Sequence, residues 1–208
     1  DAEQKDAINK LKVPVHFTPQ ISQDGFYKVD VPGPLYSLKT NYQDLDRSQY
    51  ADMTNGSYYL VTRIKTYASF MQLQAEVNKK VDSVLYENIP GKMLSKKTIS
   101  KNGYPGYEVT NQTRRGDLQR YQIYITPFEV IVFKMSGKAD YINGAEADRF
   151  FGSIQLKELN QVAKQFVPAH GGFSIHMPQE PHTYINSMSN DRWEYEALDK
   201  ATGDAYLV

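Results

Sequence analysis

Gly25-Phe-Tyr-Lys-Val-Asp-Val-Pro32 lies between Phe17-Thr-Pro19 and Asn55-Gly-Ser-Tyr-Tyr-Leu-Val61. The same order returns as Phe166-Val-Pro168, Gly171-Gly-Phe-Ser-Ile-His-Met-Pro178 and Thr202-Gly-Asp-Ala-Tyr-Leu-Val208. Apolar phase recurs with it. Pro32 and Pro178 are 146 positions apart and Gly56 and Gly203 are 147 apart, a slip of one residue. A period this long belongs to duplicated domains, since solenoid repeats are several times shorter. The layout this predicts is an N-terminal tail at 1–16, a first domain at 17–157, a linker at 158–165 and the opening strands of a second, incomplete domain at 166–208. The apolar face of that second copy, Phe173, Ile175, Met177 and Leu207, is expected to be met by further sequence.

Working outward from Gly25, the alternation of Tyr27, Val29 and Val31 with Lys28 and Asp30 predicts a half-buried strand, closed by Pro32-Gly33-Pro34. Tyr36, Leu38 and Thr40 continue in period two as its expected partner. Asn55-Gly56, set between two apolar runs, predicts a type I′ hairpin turn with Gly56 at positive φ. The period then changes. Phe70, Leu73, Val77, Val81, Val84 and Leu85 fall on one helical stripe, with Ser69 and Gln72 as a box-like start and Pro90-Gly91 as the stop. The stripe is expected to bury against Val29, Val31, Leu60, Ile64, Ile123, Val130 and Val132.

Strand patterns resume over 92–100, with a turn expected at Asn102-Gly-Tyr-Pro-Gly106 and a return through 107–111. Arg115-Gly116-Asp117 makes the next turn, and 118–126 leads through Pro127 to Val130-Ile-Val-Phe133. A short helix over 145–151 carries Phe150 and Phe151, with Ile154 and Leu156 behind it. The fold class is therefore α+β: an antiparallel sheet covered by one long and one short helix.

Composition narrows the function classes. Lys plus Arg is 24 and Asp plus Glu is 24 in 208 residues, so no global field draws in nucleic acid or an anionic membrane. The absence of cysteine removes disulfides, thiolate metal sites and cysteine nucleophiles together. No apolar run approaches the roughly 18 residues that a membrane-spanning helix needs, and residues 1–6 do not read as a signal peptide. Sixteen tyrosines, with many Asn and Gln, give the wet surface of exported proteins.

The order of these pieces resembles the PsbP-like superfamily, in particular its DcrB-like and bacterial lipoprotein-type members. The resemblance is carried by Gly25 to Pro32, Ile89-Pro-Gly91, Gly103-Tyr-Pro-Gly106-Tyr-Glu108 and Ala147-Asp-Arg-Phe-Phe-Gly-Ser-Ile-Gln-Leu156. It covers about 17–157 and begins again at Phe166. What it implies is an α/β/α sandwich and a noncatalytic adaptor, assembly or partner-binding module outside the cytoplasm of a bacterium, without cofactor or metal.

Residue by residue, the chemistry is sparse. His170, His176 and His182 recur every six positions, but six residues of strand span about 20 Å, too far for one metal, and surface histidines are expected. Arg115-Gly116-Asp117 matches an adhesion tripeptide and equally suits a tight turn, the reading preferred here. Arg114, Arg115 and Arg120 with Lys96, Lys97 and Lys101 read as a charged, aggregation-resistant edge. Glu76 and Lys80 read as a surface helix pair. No Gly-x-Ser-x-Gly elbow, His-Glu-x-x-His or phosphate loop is present, so no enzyme is expected. Tyr58, Tyr59, Tyr104, Tyr107 and Trp193 are the candidate partner-binding residues. The leading expectation is an exported scaffold of tandem modules that binds another protein, in the periplasm, at the cell surface or secreted. Its alternative is a small-molecule or glycan module with those five aromatics lining a cleft.

Overall fold

The computed structural model describes residues 15–38, 44–52, 56–66, 74–89, 91–137, 139–185 and 192–208. Thr40, Asn55, Ser69, Phe70, Gln72, Leu73 and Pro90 lie outside the described residues, as do the side chains of Val84 and Leu85. The chain runs through β1 (Thr18–Ile21), β2 (Tyr27–Val31), β3 (Tyr36–Ser37), β4 (Leu45–Asp52), β5 (Ser57–Lys65) and helix α1 (Gln74–Asn88). It continues with β6 (Lys92–Lys101), β7 (Tyr104–Gln112), β8 (Leu118–Ile125), β9 (Glu129–Gly137), helix α2 (Ala145–Gly152) and β10 (Gln155–Leu156). Five short strands follow: β11 (Lys164–Phe166), β12 (Ile175–Met177), β13 (His182–Ile185), β14 (Trp193–Leu198) and β15 (Ala205–Leu207).

The main sheet is antiparallel, in the order β3-β4-β5-β9-β8-β7-β6. Side chains alternate between its faces, so each strand feeds two cores. On one face Val81, Ile89 and the half-buried Val77 of the α1 region pack with Val109, Tyr121, Ile123, Val130, Val132 and Ile64. On the other, Tyr59, Val61, Ile131, Phe133 and Met135 meet Phe150 and Phe151 of α2 together with Tyr27, Val29 and Val31 of β2.

The expectation that Val29 and Val31 lie under the long helix is thereby corrected. They belong to the opposite core, because β2 sits in a separate sheet of order β1-β2-β10. The expected pairing of the Tyr36 segment with β2 is corrected too: Tyr36 pairs with Gln49 of β4. Pro32-Gly33-Pro34 carries the chain from one sheet to the other, and a side chain at Gly33 would overlap the Tyr50 ring.

The family-like motifs have structural work. Arg149 of α2 pairs with Asp30 of β2, and Ser153 Oγ accepts the Asp30 amide at 2.8 Å while donating to the Phe150 carbonyl at 2.8 Å. Asn102 Oδ1 accepts the Leu156 amide at 3.1 Å, and the Tyr104 hydroxyl donates to the Lys157 carbonyl at 2.9 Å. The β6–β7 turn is tighter than expected. Lys101 pairs with Tyr104, leaving Asn102 (φ 49°) and Gly103 (φ 78°) as a two-residue loop. Pro105 and Gly106 are already in β7, where a side chain at Gly106 would strike the Ile123 carbonyl.

The β4–β5 hairpin forms, but not through a two-residue turn. Pairing ends at Asp52↔Ser57, and the Gly56 amide donates to the Asp52 carbonyl at 2.8 Å with Gly56 at φ 66°. The C-terminal strands repeat this turn. The Gly203 amide donates to the Asp199 carbonyl at 2.7 Å with Gly203 at φ 81°.

Register repeats as well. Thr18↔Val31 and Gln20↔Val29 recur, 146 positions later, as Lys164↔Met177 and Phe166↔Ile175. Tyr36↔Gln49 recurs as His182↔Glu196, and Gln49↔Leu60 as Glu196↔Leu207. This repetition begins at Lys164, two residues inside the expected linker.

Candidate functional site

The densest polar cluster lies where β13 and β14 rest on the ends of β5 and β9. Two local turns prepare it. Asp24 Oδ1 accepts the Ser22 hydroxyl at 2.6 Å and the Phe26 amide at 3.1 Å, with Gly25 at φ 72°, which leaves Oδ2 to face Arg63. Thr126 Oγ1 accepts the amides of Phe128 and Glu129 at 3.1 and 2.9 Å, fixing the start of β9. Arg63 and Glu129 then project on the α2 side of the main sheet.

The Arg63 guanidinium clamps Glu129 through two hydrogen bonds, Nε to Oε2 at 2.8 Å and Nη2 to Oε1 at 2.7 Å. Nη2 also lies 2.7 Å from Asp24 Oδ2. The fork geometry makes this a strong, oriented pair. Aromatic rings close the remaining sides: the guanidinium carbon is 5.7, 5.9 and 5.7 Å from the ring centres of Phe26, Tyr27 and Tyr184. From β13, His182 places Nε2 3.2 Å from Glu129 Oε1, stacks on Phe128 at 5.2 Å and meets Phe26 edge-on at 4.6 Å. Beside it Lys65 pairs with Glu194 of β14, which also takes Arg192 at 2.7 Å.

Burial alone would raise the Glu129 carboxyl; the Arg63 charge, with His182 behind it, outweighs that and holds it at about 2. Burial would lower Arg63, and Glu129 and Asp24 reverse the sign, lifting it well above its ordinary value. Lys65 is lowered, because burial outweighs Glu196 and Asp44. A carboxylate held this low is a poor base and an arginine held this high a poor acid. The cluster is built to hold β13–β14 against the main sheet. The adjoining cleft, lined by Ser22, Asp24, Tyr27, Asp46, Arg63 and Ile185, encloses about 130 Å³, less than the roughly 300 Å³ at which small-molecule sites begin.

The expected site residues are dispersed. Tyr58 and Tyr59 are successive on β5 and point to opposite faces. Tyr58 donates to Gln49 Oε1 at 2.6 Å, and Tyr59 is fully buried. Tyr104 lies against Phe26 at 6.1 Å, while Tyr107 is on the α1 face under Lys96, 4.3 Å from its ring centre. Trp193 is in β14, 4.1 Å from the His170 ring. The five do not share one cleft.

The histidines separate also: His170 and His176 are exposed, but His182 is 2% exposed, which corrects the surface reading, because β13 folds over Phe128. Among the described residues no group of three His, Cys, Asp or Glu could hold a metal ion. Arg115-Gly116-Asp117 is an exposed turn with Gly116 at φ 89°, the Thr113 amide donating to the Asp117 carbonyl at 2.8 Å. The basic edge is partly neutralised, because Glu108 takes Lys97 at 2.7 Å and Arg120 at 2.9 Å and accepts Gln122 Nε2 at 2.7 Å. Burial would raise Glu108; Lys97, Gln122 and Arg120 hold it at about 2.

Sequence reasoning missed Arg63, Glu129 and His182 as one cluster. The available signal was parity: Arg63 and Lys65 continue the phase of Tyr59 and Val61, and Glu129 that of Ile131, Phe133 and Met135, so opposite charges stand where core residues should.

Among the described residues no helix is long and apolar enough to cross a membrane. No protein-family model matches the chain, and no curated protein sequence does. Solved structures resemble it at low identity, among them the following three. LpqN of Mycobacterium tuberculosis, described as involved in cell envelope biogenesis, is 13% identical with a TM-score of 0.39, over 74% of this chain and 96% of that one. The Pseudomonas aeruginosa protein PA94, of unknown function, is 13% identical with a TM-score of 0.37, over 62% and 87%. A third, the cyanobacterial PsbP of Synechocystis sp. PCC 6803, is similar to this chain at 10% identity and a TM-score of 0.49, over 71% of this chain and 95% of that one.

Proposed function

We propose that the chain is a noncatalytic, exported protein-binding or scaffold module, in which a PsbP-like domain at 17–157 is followed by the opening strands of a second at 166–208. The observation that supports the tandem reading is the repeated strand register, since unrelated strands would not preserve three pairings and a turn at offsets of 146 and 147 that differ by a single residue. Tandem modules raise the effective concentration for an extended or repeated partner. The surface that supports protein binding is at the C-terminal strands, where Tyr206 and Val208 share one face of the sheet with Tyr195 and Phe173 lies against Tyr195, the three at 38–41% exposure being Phe173, Tyr206 and Val208. Apolar side chains displayed by a sheet that is anchored on its other side mark an interaction surface. Trp193 stands in that same sheet, and Tyr58 and Tyr107 are half-buried on the α1 face of the main sheet.

Site-specific photocrosslinking in the native host tests the reading. A photoreactive amino acid at Tyr206 is expected to capture a defined protein from the envelope or medium fraction, whereas the same group at the exposed Asp117 captures none. Equal labelling from both positions, or recovery of the chain in the cytoplasmic fraction, would overturn it.

A further inference from the structure

We infer that the outer edge of β6, with the β7–β8 turn beside it, docks the molecule on an anionic lipid surface. Met93 and Leu94 enter the headgroup layer, and the lysines and arginines around them meet lipid phosphates. The inference rests on the main sheet alone and stands apart from the tandem reading. β6 pairs only with β7 and closes one side of the sheet. Its ten residues carry Lys92, Lys96, Lys97 and Lys101. Lys92 pairs with Gln112, and the backbone at Gly91 passes so close that a side chain there would strike the Gln112 carbonyl. The start of β6 is thereby set against the turn that carries the exposed Arg114 and Arg115.

Charge is balanced over the whole chain but not along this edge. Glu108 takes Lys97, and Asp117 stands on the turn. Lys92, Lys96, Lys101, Arg114 and Arg115 have no carboxylate partner among the described residues. Edge lysines by themselves are a guard against strand pairing. Two further features exceed that role. The first is a bulge: Met93 pairs with Asn111 and Ser95 with Thr110, so Leu94 is an extra residue without a partner in β7. A bulge re-aims a side chain, and this one leaves Met93 at 42% and Leu94 at 48% exposure among the lysines. The second is the arginine pair on the turn, where no strand edge needs guarding. Cations around a small apolar tip bind lipid interfaces, the charges drawing the surface near and the apolar side chains entering it. A folded acidic partner would need a hollow matched to the bulge, whereas a fluid interface conforms to it. Toward the other side of the sheet, β4 carries Asp46 and Asp52 against Arg47, so the molecule's own field turns β6 toward a negative surface.

Cosedimentation of the whole chain with vesicles of one part phosphatidylglycerol to two parts phosphatidylcholine tests the inference, with pure phosphatidylcholine vesicles as control. Binding is expected to the mixed vesicles alone, and is expected to fall about tenfold or more between about 0.1 and about 0.5 M salt. Lys96→Glu combined with Arg115→Glu is expected to abolish it, and Leu94→Ser to weaken it severalfold, with circular dichroism unchanged. Lys200→Glu, at an exposed lysine between β14 and β15, is expected to leave it as it is. Because the chain has no cysteine, Leu94→Cys carries a single environment-sensitive fluorophore. Its emission is expected to move to the blue on the mixed vesicles, while the same label on Lys200→Cys does not move. Binding to phosphatidylcholine alone, binding that survives the double charge reversal, or an unmoved label at position 94 overturns the inference. So does tighter binding to poly-glutamate or to duplex DNA, the other polyanions that this charge could meet.

Discussion

Glu129 is where acid acts on this protein. Its folded value of about 2 lies below the ordinary value near 4.3, so the ionised, Arg63-clamped form contributes stability that is complete above about pH 5. That contribution, about 3 kcal/mol, is lost as pH falls from there through about 2. Urea unfolding between pH 7 and pH 2 is expected to show this loss. Glu129→Gln is expected to lower stability at pH 7 by about 3 kcal/mol and to flatten the acid limb, with the residue of that limb due to Glu108. Gly106 makes a second prediction of the same kind. Because a methyl group there meets the Ile123 carbonyl, Gly106→Ala is expected to cost about 2 kcal/mol in thermal unfolding. Neither residue stood out in the sequence for its cause. Gly106 was read as part of a turn, and Glu129 went unnoticed because apolar alternation records where oil is placed, not which charge meets which.

Among the strands and helices, hairpins and the helical stripe were legible because their signals are local. The Asn102-Gly103 pair, the change from period two to 3.6 and the Phe150-Phe151 helix all depend on residues within one turn of each other. What failed was assignment of partners across the chain: Tyr36 to β4 instead of β2, and Val29 and Val31 to the α2 core instead of the α1 core. A single strand's alternation says that it has an inside, not which of two insides it has. Val81, the buried member of the stripe at 4% exposure, is expected to cost about 4 kcal/mol when changed to Asp, and the half-buried Val77 less. Gly56→Ala and Gly203→Ala are expected to destabilise their hairpins by similar amounts, about 1 kcal/mol each, because both glycines close an Asp-x-x-x-Gly turn at positive φ. Paired chemical denaturation curves check the equality.

For the molecule as a whole, the Arg63, Glu129 and His182 cluster fastens the C-terminal strands to the main sheet. His182→Ala is expected to raise hydrogen exchange in β13 and β14 about tenfold or more while β8 and β9 keep their protection. The candidate aromatic cleft was the least legible feature, because tyrosines on a two-faced sheet are sorted by parity, and Tyr58 and Tyr59 could never share a wall. The junction has a symmetry consequence. The surface offered by the C-terminal strands, His182 and Glu194, corresponds by register to Tyr36 and Arg47 of the first domain, whereas the surface that receives it is Phe128, Glu129 and Lys65. In the tandem reading proposed above, donor and receiver are different patches, so the contact is head-to-tail and not isologous, and a third unit docked by the same rule would extend the array, into a ring or an open helix according to the rotation per step.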